Sequence, residues 1–209
     1  MTNNKLGFYS AITAALTTTI FAISMLISSK LLSFGICMLL SWSYITLTCA
    51  FASQVKQDKK AFAYAGMAFA CVYAVFINLV YFTQLTTVNQ QAASADVLKI
   101  LTFEPGSWIF AFDIFGYGMM AISTFFIGLT VKAESKADKW LKTLLMLHGI
   151  FAPICVIFPA LNLFSSEGSV EQGSNMGVIA LEGWCLFFIP TMIFAAIHFK
   201  HKNKAEYEK

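Results

Sequence analysis

The sequence predicts an all-α membrane protein, a bundle of six transmembrane helices, and three observations support this. Of the 209 residues, 58% are hydrophobic and only 12% are charged, whereas soluble domains contain about 25% charged residues. The apolar residues form six nearly uncharged runs of about 20 residues, the length of helix that crosses a hydrocarbon core. All 14 basic residues are lysines, and most lie between the runs. This composition excludes a soluble fold, a disordered chain and a nucleic-acid-binding protein.

The six runs follow one another along the chain. Each is longer than a typical strand and too evenly apolar for a surface helix of a soluble protein. Since lipid offers no hydrogen-bonding partner, the backbone groups of each run must pair within a helix. A signal peptide is the alternative for the first run, although this run is longer than a signal h-region. We predict one six-span domain, residues 1–209, with spans at residues 7–27, 31–52, 61–85, 107–131, 140–164 and 177–199.

The positions of the lysines predict the orientation of the spans. Twelve of the fourteen belong to the N-terminus, the loops before spans 3 and 5, and the C-terminal tail. The other loops hold two, Lys30 and Lys99. Because short Lys-rich loops stay in the cytoplasm, we predict that both termini are cytoplasmic.

The connections and prolines predict how the spans are joined and bent. Only residues 28–30 separate spans 1 and 2, which predicts adjacent antiparallel helices. In the longest loop, the apolar spacing over residues 94–103 predicts a short helix at the outer surface. Pro153, Pro159 and Pro190 are predicted to kink spans 5 and 6, because each removes a helix hydrogen bond.

Three ionisable side chains lie well inside the predicted spans, away from their ends, where insertion scales assign about 2.5–3.5 kcal/mol to a central Asp. Asp113 and Glu182 each lie about five residues from the outer end of a span, roughly 8 Å deep. His148 enters from the inner side and is a candidate proton relay, although a lone histidine is more often a packing residue. Since no lysine lies deep in a span, the two carboxyls favour a cationic or hydrogen-bonding ligand.

Further polar residues gather at the depth of the two carboxyls. They lie on spans 3, 4 and 5 and are Asn78, Tyr81, Gln84, Tyr117 and Asn162. Tyr117 follows Asp113 by one turn on the same face of span 4. We predict that these residues line, with Asp113 and Glu182, a polar pocket that opens outward. The alternative is that the polar groups bond to one another and only fix the helix register.

Sequence motifs of the familiar enzyme classes are absent. The chain contains no H-E-x-x-H, G-x-S-x-G, P-loop or C-x-x-C motif, which removes support for zinc proteases, serine hydrolases, P-loop enzymes and thioredoxin-like redox sites. The segment Gly116-Tyr117-Gly118 follows no strand and is not a nucleotide-binding loop. We therefore assign no catalytic residue and predict no metal and no cofactor.

Two segments resemble a family of small, uncharacterised six-span membrane proteins of bacteria. They are residues 80–85 (VYFTQL) and residues 112–120 (FDIFGYGMM), the latter continuing to Ser123 and Thr124. They correspond to spans 3 and 4 of that family. The resemblance implies a bacterial plasma membrane and brings no activity with it. The plan of six spans with both termini inside is also similar to the substrate-capturing subunits of energy-coupling-factor vitamin transporters.

Three functions remain as hypotheses. The favoured one is an outward-facing protein that binds or transports a small polar or cationic solute. The second is a non-catalytic membrane subunit, regulator or immunity-type protein whose polar cluster is structural. The third, an intramembrane enzyme with Asp113 and Glu182 as an acid–base pair, is least favoured because no activating group can be named. Besides the lipid bilayer, a partner subunit or a second copy of the chain is left open as a partner.

Overall fold

A computed structural model describes residues 1–161, 163 and 170–207, with side chains of the last helix described from residue 179 to 204. The described residues are helical and contain no strand. Six segments are long and apolar enough to cross a membrane, which confirms the predicted all-α class and the six apolar helices. The helices are α1 (Asn3–Leu26), α2 (Lys30–Ser53), α3 (Lys60–Thr83), α4 (Ala95–Leu101), α5 (Trp108–Thr130), α6 (Lys136–His148), α7 (Phe151–Ala160) and α8 (Val170–Tyr207).

Three of the long helices begin at side chains that cap their free N–H groups. Thr2 and Ser107 each accept a hydrogen bond from the backbone N–H three residues later, at the starts of α1 and α5. Ser135 and Asp138 form a reciprocal capping box at the start of α6. Such caps satisfy donors that have no partner within the helix. They set the point at which each helix begins.

The fifth predicted span is divided into two helices. One helix, α6, ends at His148, and α7 begins at Phe151 and ends at Ala160. Pro153 therefore occupies the third position of α7, where a helix N–H has no partner inside the helix and its loss is tolerated. The predicted kink is thus a break in front of the proline, and the predicted end at residue 164 lies outside the described residues.

The loop between α3 and α5 begins with a wider helical turn. After Thr83 the chain forms a π-helix, Gln84–Val88, and later the short helix α4. The short helix predicted over residues 94–103 is therefore present as α4, although its N-cap, Ser94, makes no side-chain hydrogen bond. The π-turn turns Gln84 inward, and this residue is buried.

The six apolar segments form a ring in the order of the chain. The adjacent pairs are α1 with α2, α2 with α3, and α3 with α5. Next, α5 packs on α6 and α7, α6 packs on α8, and α8 returns to α1. The antiparallel contact of α1 with α2 confirms the prediction from the three-residue connection. Both termini lie at one end of the ring, here called the terminal end; the opposite end, which carries α4, is the distal end.

Aromatic and sulfur-containing side chains fill the centre of the ring. Tyr44, Tyr73 and Phe188 come from three different helices and are almost fully buried. Methionines 120 and 192 have no exposed surface. The Tyr44 hydroxyl donates to Ser123 Oγ (2.9 Å), whose own hydroxyl donates to the Gly66 carbonyl (2.7 Å). This central layer separates the polar groups of the terminal end from those of the distal end.

Candidate functional site

Asp113 is buried inside the distal half of the ring. It lies on the inward face of α5 together with Tyr117, and only 2% of its surface is exposed. Tyr81, at the end of α3, interacts with its carboxyl. The Oδ1 atom of the carboxyl has no hydrogen-bond partner. The structure thus brings together three of the residues selected from the sequence, around one incompletely bonded carboxyl.

Two further residues complete what we call the Asp113 cluster, namely Asp113, Tyr81, Tyr117, Tyr73 and Cys37. The Cys37 thiol on α2 lies 3.7 Å from the Tyr117 hydroxyl. The Tyr73 ring packs 5.9 Å from that of Tyr117, and its buried hydroxyl has no hydrogen-bond partner. Tyr73 interacts electrostatically with both Asp113 and Cys37. Tyr73 lies eight residues before Tyr81, so the helical repeat of α3 offered a signal for it.

No positive charge contacts Asp113 in the part of the chain that the structure describes. The groups that interact with its carboxyl are the tyrosines of the cluster and two thiols, Cys37 and Cys155. A buried carboxylate without a cation is unstable in a low-dielectric interior. It gains stability by taking up a proton or by binding a cation. The Asp113 cluster can therefore hold a group that supplies positive charge or hydrogen-bond donors.

Gln84 links the loop over the distal end to α3. Its amide nitrogen donates to the Leu101 carbonyl (2.7 Å), and its amide oxygen accepts from the Phe103 N–H (3.0 Å). The Phe103 ring then packs on Tyr81 (6.1 Å) and on Phe34 (5.7 Å). Gln84 itself is 3% exposed and does not contact the carboxyl. Gln84 thus positions the loop whose aromatic ring packs over the Asp113 cluster.

Asn78 lies on another side of α3. Its amide nitrogen donates to Ser41 Oγ (2.8 Å), and its oxygen accepts from the Trp42 indole (2.8 Å), so it joins α3 to α2. Trp42 is half exposed on the outer surface of the bundle. Residues spaced by three rotate by 60° per step around a helix. This drift places Asn78 away from the inward face that carries Tyr81 and Gln84.

The second carboxyl, Glu182, lies apart from the first. It is half-buried on α8, and it interacts electrostatically with Cys185. Its Oε1 atom has no hydrogen-bond partner, and neither carboxyl bonds to the other. Asn162, the remaining predicted pocket residue, lies outside the described residues. The structure therefore brings together three of the seven residues predicted to line the pocket, as a buried cluster.

His148 is enclosed by aromatic rings between the ends of α6 and α7. The Trp184 indole donates to its Nε2 atom (2.8 Å), and its Nδ1 atom lies 2.8 Å from Thr124 Oγ1. Since the Thr124 hydroxyl already donates to the Ala121 carbonyl (2.8 Å), the Nδ1 atom must be the donor in its own contact. His148 is therefore a neutral imidazole with both nitrogens bonded, and it does not contact Asp113.

A buried polar network at the terminal end was not selected from the sequence. His198 Nδ1 lies 2.6 Å from Asp138 Oδ1, and His198 Nε2 lies 3.0 Å from Gln54 Oε1. Gln54 in turn donates to Asn4 Oδ1 (2.7 Å). Both His198 nitrogens thus face side-chain oxygens of other segments. The network joins α1, α2, α6 and α8 and closes the ring at this end.

An exposed ion-pair cluster lies beside that network. Glu134 contacts Lys132 (2.8 Å) and Lys202 (2.6 Å). Hydrogen bonds from Lys132 and then from Lys202 lower the pKa of the Glu134 carboxyl to about 2. Lys59 donates to the Leu129 carbonyl (3.1 Å) and so caps the end of α5. These contacts tie the loop after α5 to its neighbours.

The fold and the cluster define a class: an all-helical bundle of six apolar segments with a buried, partly unbonded carboxyl at its distal half. Comparison with protein-family models, with curated proteins and with solved structures finds no match. Among the described residues, no group of three His, Cys, Asp or Glu side chains could hold a metal ion. The functional argument therefore depends on the geometry of the Asp113 cluster.

Proposed function

We propose that this chain is a multi-pass protein of a bacterial inner membrane that binds or transports a small polar or cationic solute from the outer side. The proposed orientation, with the terminal end in the cytoplasm, rests on the lysines, twelve of which precede span 1, flank the starts of spans 3 and 5 or follow span 6 in the sequence. The bacterial location rests on the resemblance carried by residues 80–85 and 112–120. In this orientation the Asp113 cluster faces the outer leaflet.

One observation carries the proposal: the unpartnered Oδ1 atom of Asp113. Buried polar atoms in folded proteins are nearly always hydrogen-bonded. A carboxyl whose only task is to join helices gains most when both of its oxygens are bonded. Ionisable groups within a membrane interior mark functional sites by default because they are expensive to place there. An unbonded oxygen in such a group supports a ligand as its missing partner.

A second candidate function is a membrane subunit or regulator in which the cluster only positions helices. The observation that favours it is the tight packing above the carboxyl, where the Phe103 and Tyr81 rings lie 6.1 Å apart. The enzyme hypothesis receives the least support, because Asp113 and Glu182 make no contact and have different neighbours. The first two candidates differ in what they predict for a neutral substitution of Asp113.

The test compares Asp113→Asn with Asp58→Asn in protein reconstituted into lipid nanodiscs. Asp58 is exposed in the loop before α3, so its variant controls for the loss of one negative charge. Thermal unfolding is measured with uncharged, anionic and cationic small solutes added separately. We expect at least one polar or cationic solute to raise the Tm of the wild type and of Asp58→Asn, but not of Asp113→Asn.

The same experiment can contradict the proposal. If no solute raises the Tm of the wild type, or if Asp113→Asn unfolds without any solute present, the structural role is favoured instead. An unchanged solute response in Asp113→Asn would place the binding site elsewhere. Uptake into proteoliposomes then separates binding from transport.

A further inference from the structure

We infer that the Asp113 cluster recognises a protonated primary amine, R–NH3⁺, rather than a metal ion or a quaternary ammonium. This inference rests on the proposed function and narrows its ligand class. It starts from two oxygens: Oδ1 of Asp113 and the hydroxyl oxygen of Tyr73. Both atoms are buried and neither has a hydrogen-bond partner, while Tyr73 has no exposed surface at all.

The two unpartnered oxygens belong to one electrostatic neighbourhood. Tyr73 and Asp113 come from α3 and α5, which pack closely along their length, and the hydroxyl and the carboxyl interact. Tyr81 is already engaged with the carboxyl, and Tyr117 with the Cys37 thiol. The two unpartnered oxygens of the cluster can therefore accept hydrogen bonds from a ligand, and the carboxylate is best stabilised by donors that also carry positive charge. An –NH3⁺ group supplies three N–H donors and one positive charge.

The rings around the cluster suit an ammonium group. The Tyr117 ring packs edge to face against Trp184, with centroids 5.0 Å apart and an interplanar angle of 73°. Tyr73 lies on the other side of Tyr117 at 5.9 Å. Ring faces attract ammonium ions within about 6 Å of the ring centroid. The cluster thus combines a carboxyl with aromatic rings that can contribute to binding an ammonium group.

The same residues are poor ligands for a metal ion. Calcium binds six to eight oxygens and magnesium requires a near-octahedral set. The cluster contains a single carboxyl, and two of its three tyrosine hydroxyls are engaged by Asp113 and Cys37. The described residues include no group of three ligating side chains. A quaternary ammonium has charge but no N–H donor, so it would leave both oxygens unpartnered.

Tyr73→Phe is the variant that tests this reasoning most directly. It removes the unpartnered hydroxyl and keeps the ring, so folding is expected to be unaffected or slightly improved. Tyr44→Phe is the matched control, because its ring packs 5.6 Å from that of Tyr73 but its hydroxyl bonds to Ser123. The first variant removes a proposed ligand contact, and the second removes a structural hydrogen bond.

Binding is measured by calorimetry in nanodiscs with four probes: n-butylammonium, n-butyltrimethylammonium, 1-butanol and sodium. We expect n-butylammonium to bind most tightly. Tyr73→Phe should weaken its binding roughly ten- to a hundredfold, as for the loss of a hydrogen bond to a charged group. Asp113→Asn should abolish binding, and Tyr44→Phe should leave the affinity unchanged.

The outcomes separate this inference from the proposed function. The primary-amine inference is overturned if n-butyltrimethylammonium binds as tightly as n-butylammonium or more tightly, or if Tyr73→Phe leaves the affinity for n-butylammonium unchanged. In either case, binding of a cation that depends on Asp113 still supports the proposed function. If 1-butanol or sodium binds more tightly than n-butylammonium, and Asp113→Asn abolishes that binding, the primary-amine inference is again overturned and the proposed function is again supported. If the wild type binds none of the four probes, the inference fails, and the wider solute screen decides the proposed function.

Discussion

Burial, rather than distance, should decide what the side-chain pairs with a carboxylate at the terminal end contribute to stability. The His198–Asp138 pair and the Lys202–Glu134 pair both have a separation of 2.6 Å. The side chains of the first pair are 4% and 7% exposed, whereas those of the second are 33% and 44% exposed. The two pairs therefore differ chiefly in their access to solvent. Asp138→Asn and Glu134→Gln are matched substitutions that each remove one negative charge.

The expected loss for Asp138→Asn is about 1.5–3 kcal/mol in the free energy of unfolding, the range for a hydrogen bond to a charged group. Asparagine keeps an oxygen that can accept from the Ser135 hydroxyl, so the capping box is largely retained. The loss therefore reports on the contact with His198. Glu134→Gln should change stability little, because exposed pairs are screened and mobile.

The assay is reversible unfolding in mixed micelles by increasing SDS, followed by tryptophan fluorescence at neutral pH. Because the folded-state pKa of Glu134 is depressed from 4.5 to about 2, its ion pairs are fully formed there and weaken only as the pH falls from 4.5 towards 2. A double-mutant cycle with His198→Gln should give a coupling energy of about 1–3 kcal/mol. Equal effects of the two substitutions, or a coupling energy near zero, would refute the reasoning.

Two further predictions concern the packing of the bundle. Gly7→Ala should destabilise the protein by about 1–3 kcal/mol, because the added Cβ would lie 2.6 Å from Cζ of the buried Phe199 ring. Gly35→Ala is the control: Gly35 has open space around it, so this substitution should be neutral or slightly stabilising. SDS unfolding of both variants checks the prediction. Trp184→Phe should cost about 1–3 kcal/mol because it leaves His148 Nε2 without its donor, and a Trp184→Phe variant as stable as the wild type in the same assay would contradict the assigned tautomer.

The sequence predicts the number and type of the long helices because length and apolar composition alone limit what can span lipid. It also places Asp113 and Tyr117 on one face of α5, since the spacing of four residues fixes their direction. Tyr81 joins them because α3 and α5 pack directly on each other. These are consequences of local periodicity and of the contact between two neighbouring segments.

Contacts between distant segments could not be predicted in the same way. Asn78 shares a spacing of three with Tyr81, but the drift of that spacing directs it towards α2. His198 and Asp138 are 60 residues apart in the chain, Asp138 in the first turn of α6 and His198 close to the end of the last predicted span, where a polar residue is normally solvated. A one-dimensional pattern carries no information on which helix ends meet. For the same reason the sequence does not identify Cys37 as part of the Asp113 cluster, because within α2 alone it is an ordinary small residue.

The closed ring has a consequence for how the protein is made. Each apolar segment packs on the one before it in the chain, so four of the six contacts around the ring can form before α8 is synthesised. The other two contacts join α8 to α6 and to α1 and need the last helix. A chain truncated before His198 therefore leaves Gln54 and Asp138, in two earlier segments, each without one of its hydrogen-bond partners.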